Sequence, residues 1–121
     1  MKNMNEIERS TVRKFEESRY FIDFYVRGFR YYDGLEVINQ MKIGDSLELV
    51  HENDNPYDSH AVAIYYDNHK IGYIPREENE IISRFIAFGH NDLFEVKIQY
   101  KNLENPIDKQ VRAVIKIKDK R

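Results

Sequence analysis

"AVAIYYDNHKIGYIP", residues 61–75, sets two short apolar runs on either side of Asp67-Asn68-His69. Both runs, "AVAIYY" and "KIGYI", read as strands, and the polar triplet between them reads as a hairpin turn. Pro75 stops the second run, because it brings no N–H to a ladder. Gly72, inside that run, leaves room for another chain or a ligand to approach closely.

The same two-residue period recurs to either side. In "YFIDFYVRG", residues 20–28, Ile22, Phe24 and Val26 alternate with Asp23, Tyr25 and Arg27. "SLELVH" sets Leu47 and Leu49 against Glu48 and Val50. "LFEVKIQY" sets Phe94, Val96, Ile98 and Tyr100 against Glu95, Lys97 and Gln99. "VRAVIKIK" sets Val111, Ala113, Ile115 and Ile117 against Arg112, Val114, Lys116 and Lys118. Each is the pattern of a half-buried strand, and Asn105-Pro106 supplies the turn before the last one.

One stretch changes period. In "REENEIISRFIAFGH", residues 76–90, Ile81, Ile82, Phe85 and Ile86 share a helical face. Asn79 or a nearby residue could cap its start, and Gly89 suits the left-handed position just past its end. The chain is thus mainly β: about six short strands with one inserted α-helix, in a small barrel or sandwich. Residues 1–18 read as a helix-prone or partly disordered leader whose Ile7, Val12 and Phe15 could dock on the core. Residues 19–121 form the barrel domain.

The composition narrows the chemistry. The chain has 121 residues, no cysteine and a net charge of −2. One domain is expected, without disulfides or thiolate metal sites. No apolar run suggests a signal peptide or a membrane span, so a soluble cytoplasmic protein is the simplest expectation. Charge is uneven: residues 19–105 carry nine basic and fifteen acidic groups, residues 106–121 six basic and two acidic. Nucleic-acid binding would therefore need a local site rather than a general field. The histidines, at 51, 60, 69 and 90, are too dispersed for local zinc spacing. There is no GxSxG, P-loop or HExxH. A binding protein without a cofactor is expected rather than an enzyme; a metal-dependent nuclease using Asp54, Asp58 and Glu77 is the catalytic alternative.

Four segments stand outside the strand-and-turn pattern. "GFRYYDG", residues 28–34, brackets Arg30, Tyr31 and Tyr32 with glycines. Rings beside a guanidinium form a surface for stacking and for phosphate. "NPYD", residues 55–58, is a stiff turn. Its aspartate either caps backbone amides, as aspartates in turns usually do, or accepts a ligand hydroxyl. "IGYIPREEN", residues 71–79, ends a strand at Tyr73-Ile74 and places Arg76 at the corner. The basic tail "KIKDKR" reads as protective charge on a sheet edge.

The order "FYVRGFRYYDG", "NPYDSHAVAIYY", "KIGYIPREEN" resembles the HIRAN domain over about residues 20–100. The resemblance implies an OB-like small β-barrel with a helical insertion. It also implies a DNA-binding module that captures the free 3′ end of single-stranded DNA, in DNA repair or replication-fork processing. Large family proteins attach the domain to an ATPase and a RING finger; this chain is expected to be the binding module alone, as in stand-alone bacterial and phage proteins.

By position in the family motif, Arg30 and Tyr31 would contact the terminal nucleotides. Asn55, Tyr57 and Asp58 would hold the last one, with Tyr57 stacking and Asp58 accepting the 3′-hydroxyl. Arg76 would meet phosphate. Tyr73 stands where familiar eukaryotic members have histidine. A late base-stacking phenylalanine would be Phe94 or Phe88. Protein partners from repair or replication are a further expectation, and a protein-interaction module without DNA binding is the alternative.

Overall fold

The computed structural model describes residues 17–119. Ile7, Val12 and Phe15 of the expected leader lie outside the described residues. The six strands are β1 (Ser18–Tyr25), β2 (Glu48–His51), β3 (Val62–Tyr66), β4 (His69–Tyr73), β5 (Phe94–Lys101) and β6 (Val111–Lys118). A single turn of helix, α1 (Gly34–Val37), follows β1, and α2 (Asn79–Ala87) lies between β4 and β5.

The strands form two antiparallel three-stranded sheets, ordered β1-β6-β5 and β2-β3-β4. Hydrogen bonds sew the sheets together at both sides. At one seam Arg27 and Tyr73 exchange backbone bonds of 2.9 and 2.8 Å. At the other, Leu47 N–H donates to Val96 O at 2.9 Å and Ile98 N–H to Asp45 O at 2.9 Å. The result is a small OB-like barrel architecture around one core.

Gly72 makes the first seam possible. Its φ is +152°, and a Cβ there would lie 2.3 Å from the Arg27 carbonyl oxygen. The close approach that this glycine permits is therefore made by the chain's own backbone.

The period-two pattern places the core correctly. Phe24, Val26, Val96, Ile98, Ala113 and Ile115 face inward, joined by Val62, Ile64 and Ile71 from the second sheet. Burying such a side chain fully stabilises the fold by roughly 1.5–3 kcal/mol. Tyr100 departs from the expected face. The β5–β6 register slips between Ile98 and Tyr100, and the ring emerges into solvent. A bulge of this kind resets the alternation of every residue beyond it.

The hairpin at 66–69 is tighter than expected. Tyr66 pairs with His69, so the loop is Asp67-Asn68 alone, with φ of 45° and 68°. Two successive positive φ values match the twist of a two-residue hairpin, and Asp and Asn tolerate them better than most residues.

The helix stops where expected: Gly89 has φ +87°, and the N–H groups of Gly89 and His90 bond to the carbonyls of Ile86 and Phe85. Its inward face differs. Asn79, Ile82 and Ser83 are buried, whereas Ile81 and Phe85 are exposed. Asn79 makes no cap bond, and its side chain turns elsewhere, as described below. The basic stretch also differs from expectation. Lys116 and Lys118 lie on β6, the middle strand of its sheet, so they guard no edge.

Candidate functional site

A cleft of about 490 Å³ opens beside the first seam. Asn55, Tyr57 and Asp58 enter it from the loop between β2 and β3; Tyr73 and Arg76 enter from β4 and the turn beyond. Arg27 and Tyr32 line it from the segment after β1, and Asn79 from α2.

The NPYD loop is both a turn and a wall of this cleft. Asn55 Oδ1 accepts the N–H groups of Tyr57 (2.9 Å) and Asp58 (3.1 Å), which fixes the bend. Asn55 Nδ2 donates to Glu52 Oε1 at 3.1 Å. Pro56 stiffens the bend, and the Tyr57 ring is left 85% exposed. Asp58 Oδ1 accepts the His60 N–H at 2.9 Å, the capping bond usual for a turn aspartate.

Its other oxygen faces side chains of the cleft. Asp58 Oδ2 accepts from Asn79 Nδ2 at 2.8 Å and lies 3.6 Å from Arg76 Nε. The Asn79 bond, then the His60 amide and the Arg76 charge, hold the Asp58 carboxyl below the usual carboxylate range. Asp58 is thus an ionised acceptor with fixed geometry. The His60 ring is held in turn, with Nδ1 3.2 Å from Ser83 Oγ.

A second group of side chains stands behind Tyr73. Lys70 Nζ lies 2.8 Å from Glu52 Oε2 and 2.5 Å from the Tyr73 hydroxyl oxygen. The Tyr73 hydroxyl donates to Glu52 Oε1 at 2.6 Å. Burial and the Glu52 carboxylate push the Tyr73 hydroxyl up to about 12. Burial would raise the Glu52 carboxyl, but bonds from Lys70, Tyr73 and Asn55 outweigh it and bring it below its ordinary value.

Two cations border the cleft. Arg76 is 71% exposed in its side chain. Arg27 pairs with Glu77 at 2.7 Å, both side chains being 60% exposed. Such exposed pairs are weak, about 0–1 kcal/mol, so either partner is readily exchanged for another.

The structure therefore gathers Asn55, Tyr57, Asp58, Tyr73 and Arg76. It does not bring Arg30, Tyr31 or Phe94 to the same place. Arg30 forms a two-pronged pair with Asp108, at 3.2 and 3.1 Å, across 78 residues. Tyr31 is 76% exposed and does not line the cleft. The cause is local: Phe29–Tyr31 form a 3-10 turn with Phe29 buried. Within the turn Phe29 faces the core and Arg30 and Tyr31 face outward; Tyr32, in extended backbone just past it, lies edge to face with Tyr73. Phe94 is buried in the core and lines a different hollow, with Leu47, Leu49 and Ile86. Phe88, just past α2, is 77% exposed.

Sequence reasoning missed Arg27, Asn79, Lys70 and Glu52; it named Tyr32 in the 28–34 segment but gave the nucleotide contact to Tyr31. The carboxylates of the alternative nuclease set are not clustered: Asp58 serves His60, Asn79 and Arg76, and Glu77 serves Arg27. Among the described residues no group of three His, Asp or Glu side chains is arranged to hold a metal ion. Among the same residues no helix is long and apolar enough to cross a membrane.

Short strands sewn into an OB-like barrel, with a polar and aromatic cleft at one seam, define a small OB-like β-barrel domain. The chain belongs to the HIRAN domain family, whose profile matches residues 20–117. Its fold is similar to a crystal structure of a Lactobacillus plantarum protein (TM-score 0.70, 19% identity, covering 84% of this chain and 96% of that one). It is also similar to the crystal structure of the HIRAN domain of human HLTF (TM-score 0.57, 19% identity, covering 84% and 81%). No curated protein matches the chain by sequence.

Proposed function

We propose that this chain is a nucleic-acid-binding module whose cleft captures the free 3′ end of single-stranded DNA. Membership in the HIRAN family supports the nucleic-acid-binding part of this reading. The finer part is carried by one observation: an ionised, immobilised carboxylate, Asp58, shares a cleft with exposed Tyr57 and Arg76.

A free 3′ end differs from internal DNA by a hydroxyl. An ionised carboxylate accepts a hydrogen bond from that hydroxyl, worth roughly 1.5–3 kcal/mol for a charged partner. A phosphate in the same place meets like charge. The Tyr57 ring offers a stacking surface, worth roughly 1–3 kcal/mol per base. Arg76 and Arg27 stand ready for the phosphates that precede the end.

With few phosphate contacts, binding has a shallow salt dependence, which suits a chain of net charge −2. In this role the chain binds rather than catalyses. It works in the cytoplasm, in DNA repair or replication-fork processing.

The test compares labelled single strands ending in a 3′-hydroxyl or a 3′-phosphate, titrated at two salt concentrations. Tighter binding of the hydroxyl end, lost in Asp58→Ala, supports the reading. Equal binding of both ends removes the role of Asp58. No binding of either leaves the protein-interaction alternative.

A further inference from the structure

Two tyrosines are turned over by bulges. Strict alternation from Ile22 and Phe24 would point Tyr20 into the barrel, and alternation from Val96 and Ile98 would point Tyr100 there. The β1–β6 register slips between Tyr20 and Ile22, and the β5–β6 register between Ile98 and Tyr100. Both rings therefore stand on the solvent face of the β1-β6-β5 sheet, 63% and 37% exposed. Bulges re-aim side chains in this way and are over-represented beside functional sites.

That face is aromatic and basic. Across its three strands Tyr25, Arg112 and Tyr100 lie in one row, and Tyr20, Lys116 and Glu95 in another. The Arg112 guanidinium lies 4.7 Å from the Tyr25 ring centroid and pairs with Asp23. The Tyr20 hydroxyl donates to Asp23 Oδ2 at 2.6 Å, and the Tyr100 hydroxyl accepts from Asn102 Nδ2 at 2.9 Å, so both turned-out rings are held in place. Positive charge prevails here in a chain of net charge −2: Arg112, Lys97, Lys116 and Lys118 stand against Asp23 and Glu95.

We propose that this outer sheet face is a second nucleic-acid surface, carrying the single strand that leads 5′ from the end held in the cleft. Bases stack on Tyr20 and Tyr100, and Lys116 meets phosphate. The inference rests on the reading of the cleft as a DNA-end site and extends it to the rest of the strand.

The face is continuous with the cleft. Asp23, Tyr25 and Arg27 alternate outward along one stretch of chain, with Phe24 and Val26 buried between them, and Arg27 lines the cleft. Single strands on OB-type barrels occupy roughly 4–16 nucleotides. A cleft of about 490 Å³ takes only the end of such a strand, and the remainder needs a surface. Exposed rings among lysines suit a single strand, whose bases are free to stack, better than a duplex, whose bases are already stacked on each other.

The test titrates labelled single strands of about 3 and about 12 nucleotides, one below and one within that range, each ending in a 3′-hydroxyl. The longer strand is expected to bind roughly 5- to 150-fold more tightly, the range that one stacked base commands. Its log–log salt dependence should be steeper by roughly 0.7 for each added phosphate contact. Tyr20→Ala combined with Tyr100→Ala should remove most of the gain with length, and Tyr20→Phe combined with Tyr100→Phe should keep it. Lys116→Gln should flatten the added salt slope. In every variant the short strand should keep its affinity and its preference for a 3′-hydroxyl over a 3′-phosphate, which general loss of structure would not allow.

The inference is overturned if the two lengths bind alike, or if the paired alanine substitutions retain the full gain. A gain with length but no preference for the hydroxyl end supports this face and removes the role of Asp58. A preference for the hydroxyl end without a gain does the reverse. If neither strand binds, both fall.

Discussion

The Asn79 side chain donates to Asp58 Oδ2 at 2.8 Å, joining the first residue of α2 to the NPYD loop 21 residues earlier. Asn79 is 3% exposed, and its side chain does not cap the helix. The bond gives the loop a fixed position over the cleft. It also sets the charge of Asp58, because hydrogen bonds to the ionised form favour that form.

Asn79→Ala should therefore cost about 1.5–3 kcal/mol of stability, the usual size for a hydrogen bond to a charged group. Denaturant titration measures it. The folded-state pKa of Asp58 lies below its ordinary 3.8, so its contribution is present above that value and fades as pH falls through the folded pKa. NMR titration of the Asp58 carboxyl should show a higher pKa in Asn79→Ala than in wild type. An unchanged pKa would mean that the Asn79 bond does not hold the charge.

Alkali should act on the opposite wall. The Tyr73 hydroxyl is pushed from 10.0 up to about 12 by burial and by Glu52. A raised folded pKa contributes stability below the unfolded value, lost as pH rises through the folded one. Lys70 is also raised, by its bonds to Glu52 and Tyr73 against the opposing effect of burial, and adds in the same direction. Unfolding free energy should thus decline between pH 10 and about 12. Tyr73→Phe should make that decline shallower, as followed by circular dichroism in denaturant at each pH.

The Arg27–Glu77 pair borders the proposed binding cleft at 2.7 Å. If Arg27 meets a DNA phosphate, Glu77 competes for it. Glu77→Gln should then tighten single-strand binding about two- to five-fold and steepen the salt dependence by up to roughly 0.7 in log–log slope, the increment for one added phosphate contact. Arg76→Gln should weaken binding and flatten the slope. Weaker binding by Glu77→Gln would rule out this competition.

Gly72→Ala should be severe. A φ of +152° is foreign to alanine, and the new methyl would meet the Arg27 carbonyl oxygen at 2.3 Å. Backbone strain of that kind costs about 1–3 kcal/mol before the clash is counted. Loss of hydrogen-exchange protection at the Arg27 and Tyr73 amides, beyond the global change, would place the damage at the seam.

How much of this was legible beforehand follows from the distance over which each feature is decided. The alternation in "YFIDFYVRG" and "VRAVIKIK" located strands and their inward faces, because side-chain direction within a strand depends only on neighbours. A turn within Asp67-Asn68-His69 and the Gly89 stop were legible for the same reason, each being a local demand on φ, although the loop proved to be Asp67-Asn68 alone. The motif residues Asn55, Tyr57, Asp58, Tyr73 and Arg76 were legible by family resemblance, and they do share a cleft.

Other features needed the folded chain. Which of two adjacent tyrosines lines the cleft is settled by where β4 lies, since Tyr32 meets Tyr73 edge to face. That Arg30 serves Asp108, that Asn79 serves Asp58, and that the lysines of β6 lie mid-sheet are all long-range facts. Sequence determined the elements, their turns and the residues able to do the chemistry. Only tertiary structure decided which of them meet, because an ion pair or a ring contact depends on distances that chain closure sets and local spacing does not contain.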